Sequence, residues 1–157
     1  MGTVIFIIVV SYIILFIVGF ISYIFTSFGL YKIAKREEEK TYAFAWVPYL
    51  NQYLLGKLAF KSRVQAIIML ILNIIVLVMS ISVLFISIDN IHIMYIAIAS
   101  FIMSLITCVY TFIAHYKIYS KYSRSTVLMT ILDIISFGIL GPIFIFAIRN
   151  NEVKINN

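Results

Sequence analysis

One carboxylate stands where carboxylates are rare. Asp133 lies in "VLMTILDIISFGIL", part of a run from Val127 to Ile148 that holds no other charged residue. A charge at the middle of a bilayer costs about 3 kcal/mol or more, so such a residue faces a bundle interior or water. Counted at about 1.5 Å per residue from the basic ends of their apolar runs, Asp133 is about 9 Å deep, Thr107 about 10 Å and Asn73 about 13 Å. Ser100, Ser104, Thr107, Thr111 and His115 are spaced four, three, four and four, which places them on one helix face. Small polar stripes of this kind let helices approach closely and hydrogen-bond. Asp133, Asn73, Thr107, Thr111 and His115 therefore form the candidate polar site. Two chemistries stay open for it: a protonated Asp133 bonded to Asn73 or capping a helix break near Gly138, or a proton or cation site.

Catalytic and metal sets are not suggested. Cys108 and His115 are seven residues apart, hence on one face but about 10 Å apart along the axis, too far for a thiolate–imidazole pair. There is no HExxH, no glycine-rich phosphate loop and no paired carboxylates within an apolar run. No cofactor, metal or catalytic residue is expected. Glu37, Glu38 and Glu39 sit beside Lys35, Arg36 and Lys40 and read as a solvated, self-neutralised helix end.

The elements that must hold these residues follow from composition. The 157 residues are 64% hydrophobic and 11% charged, far from the balance of a soluble domain. The net charge of +6 is carried by residues flanking apolar runs, where Lys and Arg set orientation and meet lipid headgroups. Nucleic acid is not an expected partner; the lipid bilayer is. The expected fold is all-α, a single membrane domain with spans at about 3–28, 64–88, 93–114 and 127–148. The fourth is interrupted by Asp133, Gly138 and Gly141-Pro142. A full span is favoured over a re-entrant one, although re-entry would bring Arg149 and Lys154 to the side of the other basic residues. Lys and Arg cluster at 32–63 and 117–124 and are missing from the amino terminus and the Asp89-Asn90 turn. The positive-inside rule then predicts cytoplasmic basic connections and an outside amino terminus.

Between the first two spans lies "YAFAWVPYLNQYLLGK", Tyr42 to Lys57. Tyr42, Trp46, Tyr49 and Tyr53 recur at helical spacing, an aromatic face suited to the headgroup level. Pro48 breaks the helix, and Asn51 is placed to satisfy backbone groups left open there. The elbow at 41–60 is expected to lie in the interface, with a dip into the bundle as the alternative. Tyr31–Lys35 ("YKIAK") and Tyr116–Lys121 ("YKIYSK") each precede an uncharged stretch broken by proline, a faint repeat.

The stretch "FGLYKIAKREEEKTYAFAWVPYLNQYLLGKLA" resembles the first half of an uncharacterised family of small multi-pass membrane proteins of Firmicutes. That family carries a Tyr-Lys-Ile-Ala-Lys, Trp-x-Pro-x-x-Asn-x-Tyr-Leu-Leu-Gly-Lys pattern, and the ending "GPIFIFAIRNN" is similar too. Glu37-Glu38-Glu39 stands where many members have a glycine. The resemblance implies topology and a bacterial cell membrane and transfers no activity. The expected function is a non-enzymatic inner-membrane protein acting through helix or lipid contacts. It would serve as a subunit, a regulator or a self-protection protein, with another membrane protein or a second copy as partner. The alternative is a small oligomeric transporter or channel subunit with its polar site near Asp133.

Overall fold

The computed structural model describes residues 2–85 and 91–153. The Asp89-Asn90 turn and Lys154 lie outside the described residues, as does the side chain of His92. The regular structure is helical throughout: α1 Gly2–Arg36, a 3-10 turn Tyr42–Trp46, α2 Leu50–Phe60, α3 Arg63–Phe85, α4 Ile91–Tyr122, α5 Thr126–Ile135 and α6 Gly141–Ile148. Among the described residues, three stretches are long and apolar enough to cross a membrane: Val9–Arg36, Arg63–Ser82 and Met94–Tyr122. α1 and α4 each run eight residues past the expected ends at Phe28 and Ala114. Lys, Arg and Tyr are good enough helix formers to continue the ladder while their polar tips reach outward.

The fourth span expected at 127–148 is not a span. α5 covers about 15 Å and α6 about 12 Å, each far short of the roughly 30 Å of hydrocarbon. The break between them is built by hydrogen bonds rather than left open. Gly138 N–H donates to Asp133 O at 2.8 Å and Phe137 N–H to Ile134 O at 3.0 Å, the paired bonds of a Schellman ending. Phe137 and Gly138 have φ of 53° and 84°. Ser136 Oγ then accepts from Leu140 N–H at 3.1 Å, and Pro142 opens α6. Beyond α6 the chain is back where α5 began: Asn151 Nδ2 donates to Tyr122 O at 3.0 Å, and Lys32 Nζ to Asn150 Oδ1 at 3.4 Å. α5 and α6 thus form a hairpin that enters and returns at one end of the bundle.

The elbow is likewise two pieces. Pro48 O accepts from Leu50 N–H at 2.9 Å around Tyr49, whose φ is 66°, so the break is a tight γ-turn. It closes through backbone bonds, with Asn51 N–H donating to Val47 O at 3.1 Å; the Asn51 side chain takes no part. The expected single aromatic face is split by this turn. Trp46 packs edge-on against Phe28 and Tyr42 against Tyr31, both on α1, while Tyr53 meets Phe44.

The core gathers at the basic end. α2 buries Asn51, Leu54, Leu55, Gly56 and Leu58, and α6 buries Ile145 and Ile148, against Leu30, Ile33, Met69, Ile118 and Tyr119 of the long helices. Glu37 pairs with Lys121 and Glu39 with Lys57 at 2.5 Å. Two of the three glutamates therefore clamp α1 to α4 and α2, instead of neutralising their sequence neighbours as expected.

α6 comes closest to the α1 backbone where α1 has no side chain. A Cβ on Gly29 would lie 2.7 Å from Ile145 Cγ2 and 2.9 Å from its backbone carbon. Gly19 has nothing within 4 Å. Gly29→Ala should therefore destabilise the protein by about 1–3 kcal/mol, whereas Gly19→Ala should leave stability unchanged or raise it slightly. Thermal unfolding of both variants in the same detergent measures the difference, and equal melting would contradict this packing.

Candidate functional site: a buried carboxylate, imidazole and phenol

Asp133 is fully buried and bonded in the core. Its Oδ2 lies 2.8 Å from His115 Nδ1 and accepts the Tyr119 hydroxyl at 3.1 Å. Tyr119 is also 3.4 Å from the carbonyl of Gly141. Asp133 Oδ1 has no partner among the described residues. Each residue is set by a different constraint. His115 and Tyr119 are one turn apart on α4 and so share a face. Asp133 sits about two turns into α5, which runs back along α4. α6 starts against the pair because Gly141 has no side chain: a Cβ there would be 2.6 Å from His115 Cε1 and 2.8 Å from Asp133 Oδ1.

The predicted set comes together only in part. Asp133 and His115 meet; Asn73 does not join them, since its Nδ2 donates to Met69 O on its own helix at 2.9 Å. Thr107 and Thr111 return their hydroxyls to the carbonyls of Met103 and Thr107, each at 2.9 Å. Both threonines line a groove of about 270 Å³ with Ser104, Cys108, Phe137 and Gly138, and His115 lies in its wall. The expected cap at Gly138 is made by the Asp133 backbone carbonyl, not by its carboxyl group. Tyr119 was the missing member. It continues the spacing of Thr111 and His115 by four more residues, so extending the polar stripe one step would have found it.

Chemically, the carboxylate fixes one face of the imidazole. Nδ1 is held by Asp133 Oδ2, and the imidazole also lines the groove. The Thr111 hydroxyl in the same groove is bonded to its own helix. Among the described residues no group of three or more His, Cys, Asp or Glu is arranged to hold a metal ion.

A buried pair of this kind is costly to break and cheaper to delete. His115→Ala or Asp133→Ala alone should lower stability by about 3–5 kcal/mol, because each strands the other polar group. The double variant should lose clearly less than the sum, and Tyr119→Phe only about 1 kcal/mol. Unfolding in mixed micelles checks the cycle; strict additivity would show that the two groups do not interact.

Comparison with known proteins finds no matching family model, no matching curated relative and no matching solved structure.

Proposed function

We propose that the chain is a non-enzymatic protein of a bacterial cell membrane that works through helix and lipid contacts made by its spans. The observation that carries this reading is α1. Residues 9–21 are exposed without exception, about 20 Å of helix, while the packing of α1 against the 3-10 turn, α2 and α6 is confined to its basic half. Apart from Ser11, whose hydroxyl is bonded to its own helix, and the Tyr12 hydroxyl, the exposed surface is apolar and includes Tyr12, Phe16 and Phe20. This half is free to meet lipid or another transmembrane helix, and a second copy or a membrane partner is its natural occupant.

Polarity and resemblance support the setting. The long helices bring Lys32, Lys35, Arg36, Arg63, Lys117 and Lys121 to one end, joined there by Arg149. By the positive-inside rule this end is cytoplasmic and the amino terminus is outside. The likeness of Tyr31–Lys35 and Trp46–Lys57 to small membrane proteins of Firmicutes fits a bacterial membrane. A second reading, a proton- or cation-conducting oligomer, draws on the groove at His115. The sealed Asp133 counts against it, since a conducting carboxylate needs contact with water.

Two measurements test the proposal. In a Cys108→Ser background, cysteine at Thr3 should react with an impermeant maleimide in intact cells and cysteine at Glu38 should not; the reverse pattern defeats the orientation. Single cysteines stepped through 9–21 should cross-link in native membranes with a repeat of about 3.6 residues, marking one contacting face. Uniformly monomeric chains at every position would defeat the helix-contact reading.

A further inference from the structure

We infer that the groove between the ends of α1 and α6 is a binding site for an anionic phospholipid headgroup carrying two negative charges. This rests on the proposed membrane setting and names the lipid contact more closely. Lys32, Lys35, Arg36, Arg149 and Asn150 line a groove of about 490 Å³. The three ion pairs among the described residues are Lys57 with Glu39, Lys121 with Glu37 and His115 with Asp133. Among the described residues, none of the four groove cations is therefore matched by a carboxylate. Glu37, next to Arg36, is taken by Lys121, and Glu152, three residues beyond Arg149, is exposed and forms no ion pair among the described residues.

Helix ends explain some of this charge but not all of it. A helix carboxyl end is equivalent to about half a negative charge, so α1 and α6 together offset about one of the four cations. About three remain. They are also held in place: Arg36 lies over the Tyr122 ring at 4.9 Å and Arg149 over the Phe146 ring at 3.6 Å. Arg149 NH1 donates to Phe146 O at 2.6 Å, which leaves the rest of its planar fork for a ligand. Asn150 Oδ1 accepts from Lys32 Nζ at 3.4 Å. Two forks and two ammonium groups on a surface groove are the donors that phosphate oxygens require.

The apolar surface beside the groove separates a lipid from free phosphate. Phe146, beneath Arg149, packs on Phe25 of α1 at 4.9 Å between ring centroids. Ile143, one turn before Phe146 on α6, is exposed and apolar. A headgroup on the cations would thus have its acyl chains running along apolar surface, whereas inorganic phosphate would gain only the charges.

The test uses the full chain reconstituted in bilayer nanodiscs of phosphatidylcholine with a small fraction of cardiolipin, whose headgroup carries two phosphates. Retained lipid is measured by mass spectrometry after extraction of the protein. Wild type should hold cardiolipin over phosphatidylcholine by about tenfold or more. Arg36→Gln with Arg149→Gln, and separately Lys32→Gln with Lys35→Gln, should reduce this to near parity while keeping wild-type melting. Lys40→Gln with Lys61→Gln removes the same charge elsewhere at this end and should preserve the preference. No preference in wild type, or an equal loss in the Lys40 and Lys61 control, overturns the site. Displacement of the lipid by millimolar inorganic phosphate would reassign it to free phosphate. A chain that fails to enter nanodiscs overturns the membrane reading and this proposal with it, whereas loss of preference in an inserted chain overturns the proposal alone.

Discussion

Every interruption of a helix in apolar surroundings must close its own backbone hydrogen bonds, and the architecture depends on how this chain does so. Two of its breaks use the same device. After α1, Glu39 N–H returns to Ala34 O and Glu38 N–H to Lys35 O, with Glu38 at φ 57°. After α5, Gly138 and Phe137 make the corresponding pair of bonds. The elbow uses a γ-turn at Tyr49 and α2 ends on Lys61 at φ 52°. Because each turn closes backbone bonds locally, helices too short to span can be packed into the bundle without leaving those backbone groups open.

Those short helices decide where the protein is solid. α2 and α6 wedge apart the basic ends of α1, α3 and α4 and fill the space with leucine and isoleucine. The core therefore lies at one end, while the opposite half of α1 stands clear of it. Charge follows the same geometry. Glu37 and Glu39 are consumed in tying α1 to α4 and α2 and do not meet the cations on the α1–α6 side. Packing at this end thus creates both the solid part of the molecule and its unopposed positive groove.

The buried carboxylate ties the hairpin to the same wedge. Asp133 reaches His115 and Tyr119, and Gly141 permits α6 to begin against them, so α4, α5 and α6 share one polar contact in an apolar core. A half-satisfied network of this kind is expensive to disturb. It positions the hairpin, and the hairpin in turn places Arg149 and Asn150 opposite Lys32 and Arg36.

Much of this was legible from residue types alone. Apolar runs of membrane length, cations at their ends, a break at Pro48 and another near Gly138, and the importance of Asp133 and His115 all follow from hydropathy, charge and backbone chemistry, which act locally. The pairing was not legible. With the third span ending at Ala114 and 127–148 crossing, His115 falls just beyond its span and Asp133 comes level with Thr107 and near Asn73. In the fold α4 continues to Tyr122, so His115 lies about 10 Å below its end, level with an Asp133 carried down by the re-entrant hairpin. Whether a broken apolar run crosses or turns back depends on what receives each half. Here the receiver for α6 is Gly29 of α1, far away in sequence, and only the tertiary structure brings that contact into being.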